Sequence, residues 1–358
     1  MVRHATAGPT GAYPDRSAPS SMDAKPQALL VMDPETFRAH YDPARLDRLR
    51  RLVTLAEPAW TDALDSPAAR ARLADTDVLL TSWGAPELTA ERLRGAGRLR
   101  AVFHSAGSVR SLVSDEVWRR GIQVFNAADA NAIPVAEYTL AAVIFAGKKA
   151  PFIAADGIRA YRGWGHHNGY GDLSNYRRTI GVVGFSRIGR RVVGLLGTLD
   201  SAEVLVADPY ADPAEVARAG ATLVSLAEML PRCEVLTLHA PALPSTHNMI
   251  GAAELARLPD HATVINTARG TLVDAAALAA ECRSGRLFAI LDVTEPEQLP
   301  REHPLRDATG VMITPHLAGS LGTEILRLTD LTLDELTRWL AAKPLRTEVT
   351  PASLTLHA

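Results

Sequence analysis

The sequence predicts an α/β protein made of two parallel-sheet lobes. Short apolar runs alternate with amphipathic stretches from residue 27 to residue 342, the pattern of helices covering both faces of a parallel sheet. These runs fall into two series, 27–125 and 179–314, joined by a long apolar stretch and an aperiodic arm. A chain of 358 residues also has room for two cores at about 150 residues per domain.

Residues 1–26 are rich in Gly, Pro, Ser and Ala, show no period, and read as a disordered tail. The first series has strand-like runs at 27–32, 77–81, 99–104 and 122–125, with helical patterns at 43–54 and 111–120 between them. Residues 132–149, AIPVAEYTLAAVIFAGKK, form a nearly all-apolar helical pattern that must be buried, between lobes or subunits. The stretch 157–176, rich in Gly, Trp and Tyr, reads as a connecting arm. A second series of strands follows at 179–184, 203–208, 234–239, 262–267, 287–292 and 310–314. Their continuous β-branched character fits strands buried on both faces. Helical spacing marks 187–200, 273–285 and 323–342.

Composition narrows the function. Lys and Arg total 38 against 40 Asp and Glu, a net charge of −2, so no basic excess exists to neutralise phosphates and nucleic acid is not the expected partner. The two cysteines, Cys233 and Cys282, are far apart, so neither a disulfide framework nor a structural zinc site is expected and both read as small apolar fillers. No uninterrupted apolar run reaches the roughly 18 residues of a membrane span, and the N-terminus lacks the apolar segment of a secretory signal. The expectation is a cytoplasmic globular protein with no membrane partner.

The segment Thr179-Ile-Gly-Val-Val-Gly184-Phe-Ser186-Arg187-Ile188-Gly189 places a turn between a strand and a helix, the context the dinucleotide fingerprint G-x-G-x-x-G requires. Gly184 would make the tight turn and Gly189 would let the helix pack close on the strand. A pyrophosphate would sit over the helix N-terminus, where free N–H groups and the helix dipole favour anions. Ser186 replaces the middle glycine, with its hydroxyl available to a phosphate. Asp208 ends the next strand, about 20 residues on, where a carboxylate accepts from the ribose hydroxyls of NAD and repels a 2′-phosphate. These lobes are therefore expected to be flavodoxin- or Rossmann-like, with NAD as cofactor.

Three further stretches end or follow strands, where open α/β sheets gather ligands. They are Val264-Ile-Asn-Thr267-Ala-Arg269-Gly270, Leu291-Asp292-Val-Thr-Glu295-Pro-Glu297, and Thr314-Pro-His316-Leu-Ala-Gly319-Ser320. Oxidising a secondary alcohol with NAD needs a base near neutrality, which His316 offers. A carboxylate beside it, Glu297, favours the protonated imidazole and fixes its orientation. The forked guanidinium of Arg269 can clamp a substrate carboxylate.

Together with the fingerprint, these stretches resemble the D-isomer-specific 2-hydroxyacid dehydrogenases, from about residue 75 to residue 350 and in family order. The resemblance implies catalytic roles for Arg269, Glu297 and His316, and a nicotinamide carboxamide contact for Asp292. It also implies cofactor contacts at Arg187, Ile188, Ala240, Pro241, Thr267 and Gly319, besides Gly184, Ser186, Gly189 and Asp208. Val135-Ala136-Glu137 matches the family's V-A-E on the helix that forms its dimer interface, so a homodimer is expected. Gln298 stands where Pro usually follows the catalytic Glu, which leaves Glu295 as an alternative. The substrate loop departs most: Ser105-Ala106-Gly107-Ser108-Val109-Arg110 stands where the family reads A-G-x-G-V-D. Backbone N–H groups at Ala106, Gly107 and Ser108 are expected to bind a carboxylate, with His104 and Arg110 hinting at an anionic tail beyond it.

The implied organisation is a substrate domain from 27–130 and 320–358, with an NAD-binding domain from 131–319 inserted in it, and an active site in the cleft. The implied activity is hydride transfer between NAD(H) and a 2-hydroxyacid/2-oxoacid pair. The alternative is an NAD-sensing regulatory protein on the same scaffold. A formate-oxidising activity is the second enzymatic reading, against which Glu297 argues. His166-His167 look like metal ligands by type but lack a third at helix or strand spacing, so no metal is expected. His239 reads as satisfying a local hydrogen bond, and Trp164 as packing.

Overall fold

A computed structural model describes residues 24–160 and 163–356; most of the expected tail and the side chain of Trp164 lie outside the described residues. Strands β1 (Gln27–Val31), β2 (Thr54–Thr61), β3 (Val78–Thr81), β4 (Ala101–His104) and β5 (Gln123–Asn126) open the chain. There follow β6 (Thr179–Val183), β7 (Glu203–Ala207), β8 (Thr222–Leu223), β9 (Val235–Leu238), β10 (Thr263–Asn266), β11 (Phe288–Leu291) and β12 (Val311–Ile313), then β13 (Glu348–Val349). The chain folds into two compact units, one running to Ala130 and resuming over Gly322–Leu354, the other spanning Asn131–Leu321.

The first unit holds a sheet of order β13-β5-β4-β3-β1-β2, parallel except for the antiparallel edge strand β13. Its inner strands β3 and β4 are buried at every position, as the unbroken apolar runs predict. Helix Ile325–Leu340 returns the chain to this unit and lays Leu333, Leu336 and Trp339 on the core with Leu30, Leu80 and Phe103. The Trp339 indole donates to Gln123 Oε1 (2.7 Å). Buried Glu335 accepts from the amides of Arg346 and Thr347, which sets the approach to β13.

The sequence reading passes over β2. Thr54–Thr61 contains Glu57 and Pro58 and stays half-exposed, so it lacks both alternation and an apolar run. As an edge strand it tolerates a proline that donates no ladder bond, and its pairing with β1 slips between Ala28 and Leu30.

The second unit holds a sheet of order β12-β11-β10-β9-β6-β7-β8, parallel throughout. One face packs on Leu236, Leu238, Val264 and Leu278, the other on Val182, Val192, Val206 and Ile265. Helix Ala128–Lys148 covers part of this unit. It is long and apolar enough to cross a membrane by length and composition, yet 56% of its apolar window is buried in the fold. Its Ile144 and Phe145 remain exposed, so the expected burial is incomplete within a single chain. The expected aperiodic arm is partly regular: helix Ala150–Ala160 runs into its first residues and a 3-10 turn forms over Gly163–His167.

Candidate active site

The turn after β6 is shaped by two glycines. Gly184 has φ +94°, and a Cβ there would lie 2.7 Å from the Ala240 amide nitrogen. A Cβ at Gly189 would fall 2.0 Å from the Gly184 carbonyl oxygen, so the first turn of helix Arg187–Leu196 touches the strand end as the fingerprint requires. Ser186 departs from the expectation. Its hydroxyl donates to the His239 carbonyl (3.0 Å) and accepts from the Gly189 amide (3.3 Å), so it caps the helix and its single proton is committed within the fold. Phosphate recognition is left to the amides of the turn. Asp208, at the end of β7, accepts from the amides of Phe185 (2.8 Å) and Tyr210 (2.9 Å), tying the second strand end to the fingerprint turn. Ala240 is buried and Ile188 packs on the core. His239 bonds Thr237 through Nε2 (3.0 Å), and burial pushes it down to about 3, so it is neutral.

Beyond β10, Asn266 organises the loop carrying Arg269. Its Oδ1 accepts from the Ala268 amide (3.0 Å) and its Nδ2 donates to the Arg269 carbonyl (2.8 Å). The exposed Arg269 guanidinium donates to the Ala268 carbonyl (2.6 Å). The Thr267 hydroxyl pairs with Thr139 at 3.1 Å. Gly270 permits contact with the next strand end: a Cβ there would lie 2.1 Å from the Thr294 carbonyl carbon. Thr294 in turn donates to the carbonyls of Pro296 and Glu297 (2.8 and 3.1 Å), folding that loop over itself.

The loop after β12 hangs from Asp292, which is 1% exposed. Its carboxylate accepts from Thr314 Oγ1 (2.6 Å) and from the amides of Leu317 (2.6 Å) and Ala318 (2.9 Å). Its carbonyl accepts the His316 amide (3.0 Å). Thr314 spends its proton on Asp292, so Tyr138 donates to Thr314 Oγ1 (2.8 Å). These bonds hold His316 at φ +56°, a left-handed conformation non-glycine residues seldom adopt. The outcome is the pair His316 Nδ1 to Glu297 Oε1 at 2.7 Å, with side chains 51% and 58% exposed. Of the two acidic candidates, Glu297 rather than Glu295 meets the histidine. Gly319 lies beside Asn131, whose Oδ1 accepts from the Ser320 amide (3.0 Å).

The sequence reading named the residues of these loops but missed Asn266, Thr314 and Tyr138. Asn266 adjoins the motif and its strand-end position was a readable signal. Tyr138 is 176 residues from Thr314, and nothing local marks that contact.

In the first unit, one of the two expected cations, His104, carries no charge. His104 is buried, pairs with Thr81 Oγ1 (2.9 Å), and desolvation pushes it down to about 4. It is neutral at physiological pH and offers no cationic anchor. Arg110 donates to the Leu354 carbonyl. Ala106 is buried while Gly107 and Ser108 are partly exposed. Among the described residues no group of three or more His, Cys, Asp or Glu is placed to hold a metal; His166 faces Asp156 at 3.3 Å. Cys233 and Cys282 are buried free thiols.

The second unit thus carries a seven-stranded parallel sheet, a fingerprint turn after β6, and a His316–Glu297 pair at the ends of the neighbouring strands β12 and β11. Residues 151–318 match the family profile of the D-isomer specific 2-hydroxyacid dehydrogenase, NAD binding domain. The D-3-phosphoglycerate dehydrogenase of Mycobacterium bovis is 33% identical over 265 residues, 74% of this chain and 49% of that protein. That of Methanocaldococcus jannaschii is 31% identical over 282 residues, 78% of this chain and 52% of its own length. The chain thus spans about half the length of the curated relatives it matches. Among solved structures, a Thermus thermophilus protein superposes with TM-score 0.70 at 26% identity, covering 90% of this chain and all of that one. Apo D-mandelate dehydrogenase of Rhodotorula graminis has the same fold at TM-score 0.78 and 21% identity, over 91% and 98% of the two chains. Residues 151–318 thus carry the NAD-binding domain of the D-isomer-specific 2-hydroxyacid dehydrogenase family.

Proposed function

We propose that the protein is an NAD-dependent dehydrogenase interconverting a 2-oxoacid and the D-2-hydroxyacid, and that the Asn131–Leu321 unit binds the cofactor. The observation that carries this reading is the 2.7 Å contact between His316 and Glu297, borne on strand ends of the same sheet as the fingerprint turn. The turn fits NAD: Gly184 and Gly189 let the strand end and helix approach the neighbouring backbone more closely than any Cβ would allow, and the capped N-terminus of helix Arg187–Leu196 presents amides to a pyrophosphate. Gly184, Arg187, Ile188 and Gly189 would lie along the pyrophosphate, with Asp208 and Ala240-Pro241 towards the adenosine. Thr267, Asp292 and Gly319 would flank the nicotinamide.

When bound, NADH would supply the hydride for the substrate's carbonyl carbon, with NAD⁺ as the oxidised product. His316 gives a proton to the carbonyl oxygen as the C–O π electrons move onto it. With Nδ1 held by Glu297, Nε2 is the nitrogen left to exchange that proton, and Glu297 fixes both tautomer and ring orientation. Arg269 clamps the substrate carboxylate through its paired N–H groups. The amides of Ala106, Gly107 and Ser108, in the first unit, are assigned to substrate binding. A cytoplasmic homodimer, with Val135-Ala136-Glu137 at the interface, forms part of this proposal.

The test is NADH oxidation across a panel of 2-oxoacids, with NADPH alongside. Turnover of at least one acid with NADH is expected, and His316→Ala should lower kcat by about 10²–10⁴-fold while NADH still binds. A His316→Ala variant as active as the parent on every acid would sink the assignment.

A further inference from the structure

At the C-terminal edge of the first unit's sheet, where open parallel sheets collect ligands, one large apolar side chain stands out. Trp83 follows β3 and is 39% exposed. It sits at the tip of the tight turn Ser82–Ala85, closed by the Ala85 amide on the Ser82 carbonyl (3.1 Å). Gly84, with φ +79°, passes so close to Asp33 that a Cβ would lie 2.7 Å from Asp33 Cβ. The Asp33 amide donates to the Trp83 carbonyl (3.2 Å). Beneath the indole, the His40 ring lies 5.6 Å away centroid to centroid. That ring is gripped at both nitrogens, by Thr329 Oγ1 (2.7 Å) and Ser82 Oγ (2.9 Å). The indole is therefore exposed and held in place.

Its neighbour is the substrate loop. Thr81 pairs with His104 in register, so the turn carrying Trp83 and the loop 105–108 leave adjacent strands, and Ser82 Oγ donates to the Ser105 carbonyl (3.2 Å). The polar side chains at these strand ends are bonded inward. Asp33 caps the amide and hydroxyl of Thr36 (2.8 and 2.7 Å), Ser105 donates to Thr332 (3.0 Å), and His104 holds Thr81. The Trp83 indole is a large exposed apolar face at this edge.

We propose that Trp83 determines substrate specificity: its indole packs on the tail of the substrate, and the favoured substrates are 2-oxoacids carrying an aromatic ring. The inference rests on the dehydrogenase reading above. An aromatic tail gains both buried area and ring–ring contact on such a wall. A phosphorylated tail would have to leave water for an indole face beside the Asp33 carboxylate.

Initial rates of NADH oxidation with phenylpyruvate, pyruvate and 3-phosphohydroxypyruvate test it in the wild type, Trp83→Ala and Trp83→Phe. Wild-type kcat/KM for phenylpyruvate is expected to exceed that for the other two by about tenfold or more. Trp83→Ala should lower the phenylpyruvate value by about tenfold while moving pyruvate by less than about threefold, and Trp83→Phe should restore most of the loss. Equal losses on all acids would assign Trp83 a structural role and overturn the proposal, as would a preference for the phosphorylated acid. Turnover of pyruvate without aromatic preference overturns this inference alone; no turnover of any 2-oxoacid overturns the dehydrogenase reading with it.

Discussion

Gly270 decides whether the loops of the candidate site can meet. Its Cα hydrogen faces the Thr294–Glu295 backbone, and a methyl group there would sit 2.1 Å from a carbonyl carbon. Gly270→Ala must push apart the loops carrying Arg269 and Glu297, and overpacking of this kind costs about 1–3 kcal/mol. Activity is expected to fall by more than tenfold in steady-state assays, with Tm lowered and NADH affinity held within about threefold. Glu297→Gln keeps an oxygen for His316 but loses the charge, and kcat should drop by about 10²-fold; Glu295→Gln, which alters a carboxylate away from the histidine, should stay near wild type. At this scale the sequence was most legible, because Arg269, Glu297, His316 and the two fingerprint glycines lie in short motifs. The Ser186 hydroxyl was misassigned because its acceptor, the His239 carbonyl, is 53 residues away.

Among the elements, the strand ends do most of the positioning. Asp208 is an example: the carboxylate expected to read the ribose also binds the amides of Phe185 and Tyr210. Asp208→Ala should therefore raise the KM for NADH by about tenfold and narrow the preference for NADH over NADPH, measured as the ratio of kcat/KM values. Discrimination that survives unchanged would move the specificity elsewhere. The buried strands could be read from sequence because each is a continuous apolar run bounded by turn residues. Strand β2 could not, since an edge strand with Pro58 and one wet face carries neither period. Likewise β8 and β13, two residues each, are too short to show a pattern and exist only through pairing.

For the whole molecule, buried neutral histidines link stability to pH. Burial pushes both His40 and His104 down to about 4, below the roughly 6.5 of an unfolded chain. Above about pH 6.5 these groups are neutral in both states and their contribution is complete. As pH falls from there towards 4, the unfolded chain takes up protons the folded one refuses, so stability is lost across that window. Thermal melts should show Tm falling steadily between pH 6.5 and 4.5, and His40→Gln with His104→Gln should flatten that slope. A slope unchanged in the double variant would place the titrating groups elsewhere.

The strand order of the second unit has an evolutionary consequence. Asp208 and the fingerprint turn hang from β6 and β7, whereas Arg269, Glu297 and His316 follow β10, β11 and β12, with β9 lying between the two groups. In the proposed function, discrimination at the ribose is thus written on one half of the scaffold and acid–base chemistry on the other. Substitutions in the two halves share few partners and should combine nearly additively. A lineage built this way is free to exchange one coenzyme for another at the ribose without relearning its chemistry.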